Sequence, residues 1–253
     1  AEAAMPLLDI ERLTKVFDGV TALQDVGFDV REGEILGVIG PNGAGKTTLF
    51  NCITGMISPT RGTIRYQGEA IQGKKPFEIA RRGIGRTFQI VRPFPTLALT
   101  DNVLVALGHR HYPTLRRSLE PFRSAANCLA ADALLDRVGL GAERNRLAGT
   151  LPLGLKKRLE IARALALEPK LLLLDEPSGG LRHEESQQLL ELILGLNREG
   201  ISVILIEHNM PIVMEVCHRL VVLDHGIKIA EGDPATIQKN SQVIEAYLGK
   251  AVN

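Results

Sequence analysis

Ile35-Leu36-Gly37-Val38-Ile39-Gly40-Pro41-Asn42-Gly43-Ala44-Gly45-Lys46-Thr47-Thr48 is the stretch on which the reading of this chain turns. Its first five residues are apolar or glycine and too few for a helix, so they read as a buried strand. They run directly into Gly40 to Thr48, which fits GxxxxGK[ST], with a helix expected from near Lys46. Strand, glycine-rich loop and helix in that order cradle phosphate. The glycines let successive backbone N–H groups turn inward, Lys46 adds a point charge, and Thr47 offers a hydroxyl to magnesium. The positive end of the helix faces the same anion. At ordinary glycine usage a chance match arises in roughly one chain of this size in a hundred. The strand before it makes a plain surface loop the weaker reading.

A second strand, Leu171-Leu172-Leu173-Leu174, ends in Asp175-Glu176. Alone, this is an acidic turn. Beside a phosphate loop, the adjacent carboxylates divide the work: Asp175 for the magnesium shell, Glu176 to orient and polarise the attacking water. A general base in that place is worth about 10²- to 10⁴-fold in rate.

Working outward, Leu7 to Val16, Leu23 to Val30 and Gly62 to Tyr66 read as strands, with a hairpin signal at Gln67-Gly68. From Thr100 to about Ala166 the pattern turns helical, with Thr100 or Asp101 as a cap and a long periodic stretch from Phe122 to Val138. Beyond it, strands at Leu171 to Leu174, Ser202 to Ile206 and Leu220 to Leu223 alternate with helical stretches near 183–197 and 211–217. Alternation of that kind predicts a parallel sheet. The expected fold is α/β: a P-loop nucleotide-hydrolase core with a mainly parallel sheet, an N-terminal antiparallel β-subdomain and an inserted helical subdomain. The expected boundaries are 5–95 plus 167–253 for the core with its β-subdomain, and 96–166 for the helical insertion.

Composition narrows the partners. Thirty Lys plus Arg against 29 Asp plus Glu leave a net charge of +1. No global field collects polyanions, so nucleic acid is not expected. Cys52, Cys128 and Cys217 are widely spaced and form no CxxC pair, which suits free thiols in a reducing compartment. The apolar runs are strand-sized, so any membrane role comes through a partner. Ala1 to Ala4 read as a remnant ahead of Met5.

Along nearly its whole length the chain resembles the ATP-binding-cassette (ABC) family, with its motifs in the family's order. The resemblance implies ATP with Mg²⁺ as ligand and adds four positions. Phe17 matches the aromatic that stacks on adenine. Gln89, in Gly85-Arg86-Thr87-Phe88-Gln89, matches the glutamine that touches the magnesium site and faces the membrane partner. His208, in Glu207-His208-Asn209, matches the switch histidine at the γ-phosphate; His109, His111, His183, His218 and His225 read as surface or turn residues. Leu151-Pro152-Leu153-Gly154-Leu155 stands where the family has the Leu-Ser-Gly-Gly-Gln signature that a second subunit presents to the γ-phosphate. Pro152 there has neither hydroxyl nor N–H, so a charge-assisted hydrogen bond of about 1.5 to 3 kcal/mol is expected to be missing. Ser178-Gly179-Gly180-Leu181 is followed by Arg182 where the family usually has Asp or Asn.

Within the family, Arg86-Thr87-Phe88-Gln89, Val103 to Ala106, Leu159-Glu160-Ile161-Ala162-Arg163 and Val243-Ile244-Glu245-Ala246-Tyr247-Leu248-Gly249 resemble ATP subunits of branched-chain amino-acid importers, a group that includes urea and amide carriers. That implies a head-to-tail homo- or heterodimer of ATPase subunits under two transmembrane permease subunits, at the cytoplasmic face of the inner membrane, fed by an extracytoplasmic solute-binding protein. Ile90 to Leu97 is expected to line the groove for a permease helix. The alternatives are a lipopolysaccharide-export motor, a nucleotide-dependent structural subunit with low turnover, and a soluble small-molecule kinase.

Overall fold

The computed structural model of the chain describes residues 5–111 and 122–248. Near the N-terminus, β1 (Leu8–Phe17), β2 (Val20–Val30), β4 (Arg61–Tyr66) and β5 (Glu69–Ala70) form an antiparallel sheet in the order β2-β1-β4-β5. Gln67 and Gly68 both take positive φ, 51° and 79°, as a two-residue hairpin between β4 and β5 requires. The larger sheet has the order β10-β9-β3-β8-β7-β6. Its strands are β3 (Ile35–Ile39), β6 (Ile84–Arg86), β7 (Leu171–Asp175), β8 (Ser202–Ile206), β9 (Arg219–Asp224) and β10 (Ile227–Gly232). All neighbours are parallel except β10, which pairs antiparallel with β9 at the edge.

The strands β3, β7 and β8 are buried at every residue, as central parallel strands must be when both faces are covered. Alternation sorts them between two cores. Leu36, Val38, Leu171 and Leu173 pack with the antiparallel sheet and α1 (Lys46–Ile53). Ile35, Ile39, Leu172 and Leu174 face the other way, toward α5 (Leu153–Leu165) and α6 (His183–Arg198). The remaining helices are α2 (Pro76–Arg81), α3 (Leu99–His111), α4 (Ala125–Arg137), α7 (Met210–Val216), α8 (Pro234–Gln238) and α9 (Ser241–Leu248). In sequence α3, α4 and α5 all fall between β6 and β7, and α3 packs against both α4 and α5.

Two expected helix starts are corrected. Because α3 begins at Leu99, Thr100 and Asp101 lie inside its first turn and do not cap it. The Thr100 hydroxyl instead donates to Asp132 Oδ1 at 2.8 Å, tying α3 to α4. The periodic stretch begins at Ala125, not Phe122; Ser124 is the cap, its hydroxyl accepting the Asn127 N–H at 3.2 Å. His218 is exposed as expected, yet its Nδ1 accepts the Ile35 N–H at 2.9 Å and so fastens the start of β3. His109 and His111 lie where side chains are outside the description. Among the described residues no helix is long and apolar enough to cross a membrane.

Candidate active site

The loop from β3 to α1 can be made only by its glycines at two points. Gly40 has φ 149°, and a Cβ there would stand 2.1 Å from the Leu223 carbonyl oxygen. Gly45 has φ 98°, and its Cβ would meet the Ala22 oxygen at 2.6 Å. Both a left-handed backbone and a close approach are required, so no other residue fits. Gly45 caps α1 without a side-chain bond, which leaves the first N–H groups of the helix facing the cleft. Lys46 Nζ donates to Gly40 O at 2.7 Å and Pro41 O at 2.9 Å, so the ammonium is held against the loop it will serve. Burial lowers its pKa, opposed by the nearby Glu176 and Asp175 carboxylates.

The two carboxylates at the end of β7 are separated by a backbone turn. Glu176 takes φ 48°, an uncommon conformation for a residue with a side chain, and the turn sends consecutive side chains in different directions. Its backbone is pinned on both sides: its N–H donates to Ile206 O at 2.9 Å, and its carbonyl accepts Lys157 Nζ at 2.8 Å. The Glu176 carboxylate accepts Gln89 Nε2 at 2.8 Å and lies 2.6 Å from His208 Nε2. With Glu176 ionised, the hydrogen of that second bond is on His208. Buried Glu207 sets the switch segment beneath, its carboxylate accepting the N–H groups of Ser178 at 2.8 Å and His208 at 3.2 Å.

Asp175 points into the protein. Its Oδ2 faces Arg86 Nη2 at 3.4 Å, while Oδ1 is buried and has no hydrogen-bond partner. Burial raises its pKa; the Arg86 guanidinium opposes this. Asp175 lines a cavity beside the phosphate loop that Thr47 and Gln89 also border, and is not on the wall of the phosphate-loop cleft itself. The oxygens of these three side chains are the hard donors that suit Mg²⁺, which takes one or two protein oxygens and completes its shell with phosphate and water.

Thr47, Thr48, Lys46, Gln89, Glu176 and His208 converge on one cleft of about 300 Å³, together with Asn42, Gly43, Ala44 and Gly45. Gly40 and Pro41 enter through their carbonyls on Lys46. Phe17, at the end of β1, is exposed under Lys15 Nζ at 4.7 Å and is not on the cleft wall; β2 reaches that wall through Ala22. Leu151 to Leu155 are not brought to this cleft either. Pro152 is the N-cap of α5, Leu151 and Gly154 are buried, Leu155 is half-buried, and Leu153 is exposed. Arg182 caps α6, its N–H donating to Glu185 Oε2 at 3.0 Å.

Four residues that matter here have no role assigned from sequence: Arg86, Glu160 and Glu207, which lie inside the family-like stretches, and Lys157. The only sequence signal is a charged residue at a position the surrounding pattern would bury, as Glu160 is on the apolar side of Leu159-Glu160-Ile161-Ala162.

A strand-borne phosphate loop beside a second strand that ends in a buried aspartate and a glutamate held by glutamine and histidine defines a P-loop nucleotide hydrolase. A family model described as ABC transporter matches residues 23–179, and one described as branched-chain amino acid ATP-binding cassette transporter matches 228–253. The chain therefore belongs to the ABC transporter family and is one of its ATP-binding, ATP-hydrolysing subunits. It is 44% identical to the high-affinity branched-chain amino acid transport ATP-binding protein BraF of Pseudomonas aeruginosa, over 97% of this chain and 99% of that one. It is 41% identical to the corresponding protein LivG of Escherichia coli K12, over 98% and 100%. Among solved structures, a nucleotide-free ATP-binding cassette from an ABC transporter superposes with a TM-score of 0.87 at 31% identity, covering 97% of this chain and all of that one.

Proposed function

We propose that this subunit hydrolyses ATP with Mg²⁺ to drive import of branched-chain amino acids or related small solutes such as urea and amides. The observation that carries the hydrolytic part is the Glu176 carboxylate, fixed between Gln89 and His208 over the phosphate loop. The full-length similarity to BraF and LivG supports the choice of solute.

In this reading the inward N–H groups of Gly40 to Thr48 and the start of α1 take the β- and γ-phosphates, with Lys46 exchanging its two loop carbonyls for phosphate oxygens. Thr47, Gln89 and Asp175 hold Mg²⁺, which when bound neutralises charge on the phosphate oxygens. Glu176 orients a water in line with the γ-phosphate and takes its proton; His208 and Gln89 fix the carboxylate and sense the γ-phosphate. Phe17 stacks on adenine, as its exposed ring permits.

The second ATPase subunit completes the site head to tail. In α5 the first intrahelical bond runs from Lys156 N to Pro152 O at 3.1 Å, so the N–H groups of Leu153, Gly154 and Leu155 form an open helix start with no side-chain cap. An anion can be taken there through backbone alone, which suits a signature without its serine. The helical subdomain carrying it spans 96–166, inserted between 5–95 and 167–253. A permease helix docks along Ile90 to Leu97, where Ile90 and Phe94 are exposed beside exposed Phe88. With two ATPase subunits under two permease subunits, the assembly works at the cytoplasmic face of the inner membrane with an extracytoplasmic solute-binding protein upstream. Proteoliposomes holding this subunit with its permease partners should take up leucine, isoleucine and valine in an ATP-dependent manner when binding protein is supplied. Uptake of urea or acetamide alone would move the solute within the group; ATP hydrolysis that drives neither would defeat the reading.

A further inference from the structure

Glu160 is buried two turns into α5, and its carboxylate takes no part in the chemistry above. Oε1 accepts the Arg92 N–H at 3.0 Å and Oε2 accepts the Phe88 N–H at 3.4 Å. Those two amides bracket Gln89, Ile90 and Val91, a segment outside helix and strand. One turn further along the helix, Arg163 donates to the Arg92 carbonyl at 3.2 Å and stands over the Phe94 ring at 5.1 Å. One turn earlier, Lys157 holds the Glu176 carbonyl at 2.8 Å. A single face of one helix therefore grips both partners of the 2.8 Å contact between Gln89 and Glu176.

The chemistry of the grip is selective. A carboxylate only accepts, and two N–H donors on one irregular loop are the complement it needs; a buried acid without them would be strongly disfavoured. Burial pushes the Glu160 pKa up, and the N–H groups of Arg92 and Phe88, followed by Arg163 and Lys157, pull it back. The loop in turn receives fixed backbone partners where no neighbouring strand supplies them.

We propose that Glu160 is a positioning residue for hydrolysis: it clamps the Phe88 to Arg92 backbone to α5, so that Gln89 is set against Glu176 and follows the helix that begins at the Leu151 to Leu155 signature. This rests on the reading of Gln89 and Glu176 as the hydrolytic pair. Movement of the helical segment toward a partner subunit's nucleotide then carries Gln89 with it.

Glu160→Gln keeps the size but sets an NH₂ donor against one of the two N–H groups. Amide hydrogen exchange at Phe88 and Arg92 should accelerate about 10- to 100-fold, with β7 and the rest of α5 unchanged. Turnover should fall about tenfold while ATP affinity, measured by calorimetry, stays within about twofold. In a Gln89→Ala background, Glu160→Gln should cost nothing further, because both act through one side chain. Unaltered exchange in the loop, or losses that multiply in the double variant, would overturn the clamp. Full turnover in Gln89→Ala alone would instead remove Gln89 from the hydrolytic site, and the exchange data would judge the clamp by themselves. Glu160→Asp, one methylene too short to reach both amides, should show the same exchange pattern if Glu160→Gln folds poorly.

Discussion

Replacing Arg86 by methionine tests how the buried Asp175 carboxylate is supported. The guanidinium is almost fully buried, at 7% exposure, and so is the Asp175 side chain at 2%. Arg86 Nη1 donates to Asn51 Oδ1 at 2.7 Å and Thr54 Oγ1 at 3.1 Å, Nη2 faces Asp175 Oδ2 at 3.4 Å, and the Phe50 and Phe88 rings lie at 5.6 and 5.0 Å. Burial is the largest influence on both ionisable groups, lowering Arg86 and raising Asp175 despite their pairing. The pair is thus costly to hold and costlier to break. Methionine fills the stem but strands Asp175, whose Oδ1 already lacks a partner, so Arg86→Met should lose about 3 to 5 kcal/mol. Urea unfolding at unchanged m-value reads this directly. The sign with pH follows from the raised pKa of Asp175: the folded chain binds that proton more tightly than the unfolded one. The loss should therefore be greatest at neutral pH and shrink as pH falls through the raised value toward 3.8. Asp175→Asn in the same background removes the stranded charge and should recover at least about 1 kcal/mol. A loss under about 1 kcal/mol, or no recovery in the double variant, would refute this account.

Pro152→Ser supplies both a side-chain cap for α5 and the missing hydroxyl. Urea unfolding should show about 1 kcal/mol of added stability, and ATP-driven dimerisation followed by sedimentation should tighten about 10- to 150-fold. No change in either would mean that the backbone of Leu153 to Leu155 already does the work. Burial pushes the Cys52 and Cys217 thiols up to about 11 and about 12. At pH 8 about a thousandth or less of either is thiolate, so a disulfide reagent should label half-buried Cys128 first and reach the other two only on unfolding. Rapid labelling of all three in the native chain would contradict their burial.

What the sequence disclosed and what it withheld have physical causes. Gly40 to Thr48 was legible because few residues can make that loop: at Gly40 and Gly45 geometry permits nothing but glycine. Asp175 and Glu176 were legible from their place after a wholly apolar strand. The short β6 strand and the edge strand β10 were not, since β6 has three residues and β10 alternates weakly between exposed and half-buried positions. The start of α3 was misplaced because Thr100 and Asp101 look like caps in one dimension, whereas the fold uses the Thr100 hydroxyl to reach Asp132. The roles of Arg86, Lys157 and Glu160 are hidden in the sequence for the same reason. Their meaning lies in bonds to Asp175, Glu176 and the Gln89 loop, all distant in sequence.

Steady phosphate release by Glu176→Gln, set beside its ATP affinity, addresses the central claim most directly. Glutamine keeps the contact distance to Gln89 and His208 but cannot take a proton. Release should fall by about 10²- to 10⁴-fold with ATP binding retained and an ATP-bound dimer accumulating. Undiminished release from that variant would contradict the assignment of Glu176 and, with it, the hydrolytic site built here.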